Sequence, residues 1–454
     1  MEDKNVIMAQ RVARAVEEAG GRTFYVGGFV RDRLLGKENK DVDIEVHGIS
    51  VQTLESILDG LGERIAMGES FGIMGLRHFE LDIAMPRSER ATGRGHRDFN
   101  VSVDPFLGTE QAARRRDFTI NALMEDVLTG EVLDFFGGRD DLFYGCIRHV
   151  DATTFVEDPL RVLRAAQFAA RFGFEVAAET RTLCSTMDLD ALPGERIFGE
   201  LQKALLKAQR PSIFFEELRH MGQLATWFGE VEALVGVPQN PDHHPEGDVW
   251  IHTMQVVDRT AALRAQAQYP LELLVAALCH DLGKACTTQE VKGAIHAYGH
   301  ETEGLPLARR LIERLTRERK LVSYALNMVK LHMRPNMLVA VGARAKSYMR
   351  TFDASVCPED LLLLARADHE GRVSADGLIA PDDYAPIEEK LRQMLAEYHR
   401  RMALPYATGE DLIAMGFVPG PAFGDALAMA HKLRLAGRSK SEQIASAAAV
   451  LRKA

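Results

Sequence analysis

The segment from Tyr25 to Gly48, YVGGFVRDRLLGKENKDVDIEVHG, constrains the fold more than any other part of the chain. An apolar run ends in Gly27 and Gly28, a helix-forming segment follows, and a second run alternates apolar residues with Asp41 and Asp43. Side chains two residues apart on a strand leave the same face, so these two carboxylates are expected to project together. The segment therefore predicts a strand, a glycine turn, a short helix and a second strand within an α+β region.

The same segment carries residue types that suit phosphate chemistry. Two carboxylates on one face are the hard oxygen ligands that Mg²⁺ prefers. A Gly-Gly turn lets backbone N–H groups approach phosphate oxygens, and Arg31 could add a counter-charge. Asp82, on the second strand of a hairpin predicted in GIMGLRHFELDIAM, is a candidate third carboxylate. Each feature alone is also typical of a surface turn beside a solvated edge strand.

Length and composition set the broad class of protein. A chain of 454 residues is too long for one hydrophobic core, so several domains are expected. The net charge of −10 argues against a protein that coats nucleic acid through general positive charge, and an RNA partner would need local basic patches. The five cysteines show no CxxC spacing, and neither a leader-like apolar segment nor an apolar run of ~20 residues is present. These features predict a cytoplasmic protein with reduced thiols and no membrane partner.

Shifts in composition along the chain divide it into regions. Residues 87–104 lack periodicity and are predicted to form a mobile loop, whereas the chain is mainly helical from about residue 112. The Pro-, Asp- and His-rich segment 237–249 is the clearest predicted linker, and residues 374–386 form a second turn-rich break. The predicted regions are 1–145, 146–236, 237–400 and 401–454.

Four motifs follow the glycine turn and the paired aspartates in a fixed order. They are RRRDFTINAL at 114–123, DFFGGRDDL at 134–142, EDPLRVLRAAQFAARFGF at 157–174 and GERIFGEL at 194–201. This ordered set resembles the bacterial tRNA nucleotidyltransferase and poly(A) polymerase family, whose members include the class II CCA-adding enzymes. The resemblance implies a polymerase-β-like head with a mixed sheet at 1–145, followed by an all-α body. It also implies a neck for base recognition and RNA binding at 146–236. The lysine and arginine residues near the end of the tail, 401–454, indicate either contact with the tRNA backbone or a solvated helix face.

The resemblance assigns roles to individual residues of the head. Asp41, Asp43 and Asp82 would be the catalytic carboxylates, and Asp41 and Asp43 would ligate Mg²⁺; strand register makes the match of Asp82 the softer one. The remaining head and neck residues would bind the nucleotide: Gly27, Gly28 and Arg31 at the triphosphate, Arg116, Asp117 and Asn121 at the sugar and phosphates, and Arg164 on the EDxxR helix.

Asp158 and Arg161 of the EDxxR motif would read the incoming base. A carboxylate accepts hydrogen bonds from the exocyclic amino groups of cytosine and adenine, and a guanidinium donates to their ring nitrogens or carbonyl oxygen, so C and A would be preferred. Arg196 and Glu200, four residues apart on a predicted helix, are either a structural ion pair or supports for this pocket. Arg94, His96 and Arg97 lie in the segment that such enzymes use when they switch nucleotides, and they are given no individual roles.

A second group of residues follows the predicted linker. His252, the His280–Asp281 pair and Asp368 occur in the order that is typical of the HD phosphohydrolase superfamily. Imidazole and carboxylate ligands suit a divalent transition metal such as Ni²⁺ or Mn²⁺. The resemblance is to the enterobacterial type of tRNA nucleotidyltransferase, whose HD domain has phosphatase and 2′,3′-cyclic phosphodiesterase activity. The residues expected to contact the phosphate substrate are Lys284, His296, His300 and His332.

The resemblance implies that the chain adds C, C and A to the 3′ end of tRNA from CTP and ATP, without a nucleic-acid template. A poly(A) polymerase is the nearest alternative, but the chain lacks a strongly basic extension and the GRRF-type run before Asp82. An enzyme that adds only C residues or only the terminal A stays open. A nucleotide-sensing module that regulates an HD hydrolase is an alternative of another class, although both metal carboxylates are present. A plain RNA-binding protein would leave both carboxylate sites unexplained.

Overall fold

The strands predicted on either side of the Gly-Gly turn form the centre of a mixed sheet. In the computed structural model the described residues are 3–66, 73–91, 99–374, 376–378 and 382–453. The chain divides into two units, one made of residues 1–208 with 213–226 and the other of residues 209–212 with 227–454. The first unit contains the sheet and the second is almost entirely helical, so the predicted α+β class, with a sheet-containing head and a helical remainder, is confirmed.

The sheet of the first unit has seven strands in the order β3-β4-β5-β2-β1-β8-β9. β2 and β5 are parallel, whereas the other neighbouring pairs are antiparallel. Two short pairs, β6–β7 and β10–β11, lie outside this sheet. The strands of the first unit are β1 (Arg22–Val26), β2 (Val42–His47), β3 (Arg64–Ala66), β4 (Met74–Leu76), β5 (Leu81–Ala84), β6 (Arg87–Ala91), β7 (Phe99–Val103), β8 (Met124–Asp126), β9 (Val132–Leu133), β10 (Cys146–Ile147) and β11 (Glu175–Val176).

Helices cover the sheet and then continue as the body of this unit. The first helix begins where the Asp3 side chain accepts a hydrogen bond from the backbone N–H of Asn5, and it buries Val12 and Val16. The helices are α1 (Lys4–Glu18), α2 (Gly28–Leu34), α3 (Val51–Leu61), α4 (Thr109–Arg114), α5 (Gly138–Tyr144), α6 (Ala152–Phe155), α7 (Leu160–Phe172), α8 (Ala178–Ser185), α9 (Gly194–Lys207), α10 (Ser212–His220) and α11 (Leu224–Glu232). A 3₁₀ turn spans Thr119–Asn121, and α10 and α11 pass through the boundary between the units.

The second unit packs helices around one buried group of histidines and aspartates, described below. Its only strands within the described residues are the hairpin partners β12 (Gln289–Val291) and β13 (Ala294–His296). Its helices are α12 (Val249–Leu263), α13 (Pro270–Cys279), α14 (Lys284–Thr287), α15 (His300–Leu315), α16 (Arg319–Leu331), α17 (Arg334–Ala340), α18 (Ala345–Ala354), α19 (Pro358–Glu370), α20 (Ala385–Ala403), α21 (Gly409–Ala414), α22 (Ala422–Leu435) and α23 (Lys440–Leu451).

Two segments differ from their predicted structure. The prediction of a loop over 87–104 was wrong at both ends, because β6 and β7 pair from Arg87↔Val103 to Ala91↔Phe99. A two-stranded ribbon is held by backbone hydrogen bonds, so it needs no apolar alternation in its sequence. Arg94, His96 and Arg97 lie outside the described residues. The composition of 237–249 predicted a linker, yet Gln239 and Glu246 are buried in the second unit. The division into four regions stays a prediction.

Candidate active sites

The three predicted carboxylates of the head meet at the pairing of two strands. β2 and β5 run parallel in a register that places Asp43 directly opposite Asp82, and Asp41 stands just before β2. Burial raises the pKa of Asp43 to about 6, with further contributions from the negative charges of Asp82 and Asp41 that outweigh the positive charge of Arg116. Like charges held this close favour a bound cation, so the arrangement fits Mg²⁺.

Gly27 brings the backbone against this acidic group. Its φ of +65° is a left-handed conformation that L side chains rarely adopt. A Cβ atom at Gly27 would lie 3.2 Å from Nη1 of Arg116 and 4.0 Å from Oδ2 of Asp43. At Gly28 a Cβ atom would lie 3.3 Å from Nη2 of Arg31. The two glycines therefore leave room beside both arginines and beside Asp43, where a phosphate would have to enter.

Four of the predicted nucleotide-binding side chains form one hydrogen-bonded chain. Nη1 of Arg31 donates to Oδ1 of Asn121 (2.6 Å), and Nδ2 of Asn121 donates to Oδ1 of Asp117 (3.0 Å). Nε of Arg164 then donates to Oδ2 of Asp117 (2.7 Å). Burial opposes the ionisation of Asp117, but the charge of Arg164 and the hydrogen bonds from Asn121 and Arg164 keep its pKa below the usual value. This series of hydrogen bonds fixes the guanidinium groups of Arg31 and Arg164 in place.

These residues line a cavity of about 360 Å³ that is rich in positive charge. Such an array suits a polyphosphate, because each phosphate oxygen can be paired with a fixed donor. Five of its residues were not among those predicted from the sequence: Gln167, Phe168, Arg171, Lys203 and Lys207. The basic side chains around it are Arg31, Arg116, Arg164, Arg171, Lys203 and Lys207.

Helical spacing explains how these additional side chains reach the cavity. On α7, Arg164, Gln167 and Arg171 are separated by three and four residues and share one helix face. On α9, Lys203 and Lys207 are four residues apart and likewise share a face. Both helices were predicted from the motifs at 157–174 and 194–201. Continuing the helical period of 3.6 residues from the motif residues would have predicted that these side chains face the cavity.

The predicted base-reading pair lies beside the cavity rather than among its lining residues. Arg161 donates from Nη1 to the carbonyl of Thr154 (2.7 Å) and from Nη2 to the carbonyl of Arg115 (2.6 Å). Oδ2 of Asp158 lies 3.2 Å from Nη2 of Arg196. The roles of Asp158 and Arg161 stay a prediction.

Arg196 and Glu200 have different partners instead of pairing with one another. Arg196 reaches Asp158, which lies at the start of α7, whereas Oε1 of Glu200 accepts from Lys203 (2.7 Å) and lies 3.9 Å from Arg164 on α7. Both side chains therefore connect α9 to α7, as expected of residues that support the pocket.

In the second unit, four buried histidines turn the same ring atom inward. Nδ1 of His280, His300 and His332 lies 2.7, 2.8 and 2.7 Å from the carbonyl oxygens of Ala277, Ala297 and Val329. Nδ1 of His252 lies 2.8 Å from Oε1 of Glu246. Carbonyl and carboxylate oxygens only accept, so each Nδ1 carries the hydrogen, and each ring in its neutral form presents a lone pair at Nε2.

The four Nε2 atoms form two close pairs, and in neutral rings the two lone pairs of each pair would repel each other. Nε2 of His252 lies 3.4 Å from that of His280, and Nε2 of His300 lies 3.4 Å from that of His332. Two lone pairs at this distance repel unless a cation lies between them. Neutral imidazoles with carboxylates are the ligands that divalent transition metals prefer, so the donor set fits such ions.

Asp281 lies between the two histidine pairs. Its Oδ2 is 3.2 Å from Nε2 of His280 and 3.6 Å from that of His252. Its Oδ1 is 3.2 Å from Nε2 of His300 and 3.7 Å from that of His332. In the absence of a metal, burial opposes the ionisation of Asp281, but the charge of His280 in its protonated form and the charge of Lys284 hold its pKa well below the usual range. Each oxygen of this carboxylate thus completes one group of ligand atoms.

Asp368 and Lys284 complete the predicted set. Oδ1 of Asp368 lies 3.1 Å from Nε2 of His252, and Nζ of Lys284 lies 2.7 Å from Oδ2 of Asp281. These side chains border a cavity of about 290 Å³. His296 lines the same cavity, where its ring stacks on Tyr298. The structure therefore brings together at one site all the residues predicted for it, in the part of the chain that it describes.

The two sites match known families separately. Residues 23–148 match the family model of the poly A polymerase head domain, and residues 249–370 match that of the HD domain. A multifunctional CCA protein of Laribacter hongkongensis (strain HLHK9) is 40% identical over 368 residues, which cover 77% of this chain and 85% of the relative. The chain belongs to the multifunctional CCA protein family.

Another relative agrees with this assignment, and solved structures share the fold. A multifunctional CCA protein of Thioalkalivibrio sulfidiphilus (strain HL-EbGR7) is 36% identical over 421 residues, covering 89% of this chain and 96% of the relative. A CCA-adding enzyme in its apo form II has a TM-score of 0.67 at 20% identity and covers 100% of this chain and 97% of its own. The Thermotoga maritima CCA-adding enzyme complexed with tRNA has a TM-score of 0.63 at 21% identity, with coverage of 99% and 96%. The expected fold and family are confirmed.

Three residues at the HD site of this family member were not predicted. Oε1 of Glu246 is hydrogen-bonded to Nδ1 of His244 (2.8 Å) and lies 2.8 Å from Nδ1 of His252. Gln239 accepts from Nζ of Lys284 (2.8 Å). All three belong to the 237–249 segment. Its Pro and His content is typical of a linker, so the sequence did not predict that Gln239 and Glu246 are buried. Among the described residues, the structure contains no helix with the length and apolar character required to cross a bilayer.

Proposed function

We propose that this protein adds the CCA 3′ end to tRNA from CTP and ATP, without a nucleic-acid template. One observation carries the proposal: three carboxylates meet beside a cavity that is lined by arginine and lysine side chains. Its relatives are named multifunctional CCA proteins, and solved neighbours of the same fold are CCA-adding enzymes with ATP, with CTP or with tRNA. A cytoplasmic location is part of the proposal.

We assign each part of the head one task. Arg31, Arg116 and Arg164 hold the triphosphate in the cavity, and Gly27 lets it approach Asp43. Asp41, Asp43 and Asp82 would hold Mg²⁺, which when bound lowers the pKa of the attacking hydroxyl and offsets the charge of the leaving pyrophosphate. The 3′ oxygen of the tRNA bonds to the α-phosphorus, and the bond from that phosphorus to the bridging oxygen breaks. Pyrophosphate leaves, and the proton of the hydroxyl passes to solvent.

Selection of C and A is assigned to Asp158 and Arg161, in agreement with the sequence prediction. In this structure their hydrogen-bonding groups are engaged with Arg196 and with the carbonyls of Thr154 and Arg115. A base edge would therefore have to replace these partners. The base would offer Asp158 and Arg161 the same kinds of donor and acceptor, while Arg196 and the two carbonyl groups would have to pair with water.

The test uses tRNA that lacks its 3′ CCA, incubated with Mg²⁺ and with CTP, ATP or both. Products extended by one to three residues, with C before A, support the proposal. A long adenylate ladder would instead identify a poly(A) polymerase. Addition of C residues alone, or of A only to tRNA that already ends in CC, would identify a partial enzyme.

The histidine-rich cluster supports a second function in the same chain. We propose that it hydrolyses phosphate esters with two divalent transition-metal ions such as Ni²⁺ or Mn²⁺, which when bound activate water and polarise the phosphate. His252, His280 and Asp281 would hold one ion, and His300, His332 and Asp281 would hold the other, since each oxygen of Asp281 faces a separate histidine pair. His300 and His332 would then be ligands, whereas the sequence analysis expected them to contact substrate.

Metal stoichiometry tests this arrangement without any assay of turnover. Equilibrium dialysis against Mn²⁺ should give two ions per chain that survive Asp43→Ala in the head. His332→Ala should remove one of the two. Binding of a single ion to a protein with all its histidines would reject His300 and His332 as ligands of a second ion.

A further inference from the structure

We propose that Glu45 is a positioning residue for nucleotidyl transfer, which holds the guanidinium group of Arg116 beside Asp43 at the glycine turn. The inference rests on the CCA-adding function proposed above. It adds to that function a residue that acts through Arg116 and not on the nucleotide itself.

Glu45 is a carboxylate buried in the middle of the sheet. It lies on β2 two residues after Asp43, so the two side chains leave the same face of the strand. β2 is paired on both sides, with β1 and with β5, and Glu45 is only 1% exposed. An ionised carboxylate at such a position lowers the stability of the fold unless charged partners surround it. The sheet alone therefore gives no reason for a glutamate here, whereas its partners do.

Both oxygens of Glu45 have partners that hold a carboxylate. Oε1 lies 2.9 Å from Nε2 of His47, which follows two residues later on the same face of the strand. Oε2 accepts from Nη2 of Arg115 (3.2 Å) and from Nη2 of Arg116 (3.3 Å). The ring of His47 is itself packed edge-on against that of Phe24, with centroids 5.4 Å apart. The carboxylate is therefore fixed at one oxygen and offers the other to both arginines.

The guanidinium group of Arg116 faces Glu45 at one end and the glycine turn at the other. Its Nη2 is bonded to Glu45, whereas a Cβ atom at Gly27 would lie 3.2 Å from its Nη1. The guanidinium group is planar and rigid, so an acceptor that fixes Nη2 also limits where Nη1 can point. Arg116, Gly27 and Asp43 line the same cavity. Nη1 is thereby held where the reacting phosphate would enter beside Asp43.

Glu45 also offsets a repulsion between two arginines. Nη2 of Arg115 and Nη2 of Arg116 lie close together because both bond to the same oxygen. Without the negative charge between them, the two guanidinium groups would repel each other and separate. Arg115 is not among the described residues that line the cavity, so displacement of Arg116 is what would change the phosphate site. A neutral residue at position 45 should therefore disturb catalysis through Arg116.

The test is a double-mutant cycle, measured on the addition of C to tRNA that lacks its 3′ CCA. Glu45→Gln keeps the size of the side chain and removes its charge. It should lower kcat ~10- to 100-fold, because Nη1 of Arg116 lies where charge develops on the phosphate in the transition state. KM for CTP should change less than ~3-fold. In an Arg116→Ala background the same substitution should cause no further loss.

Arg115→Ala provides the matched background, because Arg115 bonds to the same oxygen of Glu45 but lies outside the described lining of the cavity. In this background Glu45→Gln should cause its full loss of kcat. A merely structural role for Glu45 would give equal losses in both backgrounds, and that result would overturn the proposal. A loss confined to KM would overturn it as well.

His47→Phe replaces Glu45→Gln in the cycle if thermal unfolding shows that the glutamine variant does not fold. This variant keeps a ring against Phe24 and removes the N–H at Oε1 of Glu45. It should lower kcat ~3-fold, and only when Arg116 is present. A loss that persists in the Arg116→Ala background would contradict the positioning role.

A spectroscopic measurement separates failure of the positioning role from failure of the transferase function. Absence of nucleotide addition by the unmodified protein would reject the function alone. Nitrogen NMR of protein isotopically labelled at arginine then follows the guanidinium group of Arg116, assigned by the signal that is lost in Arg116→Ala. Its N–H hydrogens should exchange with water at least ~10-fold faster in Glu45→Gln, because the fixed acceptor is gone. An unchanged exchange rate would overturn the proposal.

Discussion

The two sites of this chain surround their carboxylates with different side chains. In the head, carboxylates stand on strands next to a cavity whose other walls are arginine and lysine side chains. In the second unit, the histidines are buried and each has its tautomer set by a fixed acceptor. Oxygen ligands that leave room for phosphate suit a Mg²⁺ ion that arrives with its nucleotide, whereas preoriented imidazoles suit resident transition-metal ions. The head would therefore share its metal with a substrate, whereas the second unit would keep its metal as part of the protein.

The largest expected effect tests whether the two sites are independent. Asp43→Ala should lower the rate of nucleotide addition on the order of 10³-fold or more, because the ion that neutralises the leaving group loses a ligand. The same variant should keep phosphohydrolase activity. His280→Ala should do the reverse. Both activities are measured on each variant, and loss of both in either one would show that the sites are coupled.

The next effect concerns the one ligand histidine that is held by a side chain. Glu246→Gln should weaken transition-metal binding ~10- to 100-fold, because a neutral amide no longer favours the N–H at Nδ1 of His252. Competition with a chromogenic chelator measures the affinity. Glu301→Gln is the matched control: Glu301 lies 4.0 Å from Nδ1 of His300, which instead donates to the carbonyl of Ala297. An equal loss in the control would show that net charge, and not orientation, governs affinity.

Glu246 also marks where prediction from the sequence fails. The ordered motifs predicted the head, the helical body and the HD residues, because each motif holds its chemistry within a few residues. Asp43 and Asp82 lie opposite each other because of the register between two strands that are nearly forty residues apart in the sequence. Periodicity alone does not determine that register. Glu246 lies in a segment whose composition is typical of a linker, and only the packing of that segment against His252 reveals its role. Arg171 and Lys207 could have been predicted, since they follow helical spacing from motif residues.

The two sites should also differ in how their affinity for metal ions depends on pH. The pKa of Asp43 is raised to about 6, so in the metal-free protein this carboxyl is protonated below that pH and Mg²⁺ must displace the proton. The affinity for Mg²⁺ should be constant well above pH 6 and fall by up to ~10-fold for each pH unit below it. Calorimetry with Mg²⁺ between pH 5 and pH 8 measures this fall. Asp281 and Asp368, whose pKa values are well below the usual range, should add no such step to the second site. There the step belongs to His252 and His300: burial lowers their pKa values, but hydrogen bonds with Asp368 and Asp281 raise them above the usual value, so metal binding must release these protons. A flat profile in the head would show that Asp43 is not a ligand.

The smallest expected effect concerns the basic side chains that line the cavity of the head, here called its positive wall. It tests whether they stabilise bound nucleotide and transition state equally or only the transition state. Lys207 lines the cavity at the exposed end of α9, so its ammonium group is well solvated and contributes a weak interaction. Lys207→Ala should raise KM for CTP and for ATP ~3-fold each and leave kcat unchanged, because an interaction made equally with bound nucleotide and transition state affects only binding. Arg14→Ala, which removes an exposed charge from α1, is the matched control and should change neither constant. A fall in kcat for Lys207→Ala would place this side chain against the leaving pyrophosphate. The positive wall of the head would then take part in the chemical step, as the resident metals of the second site are proposed to do.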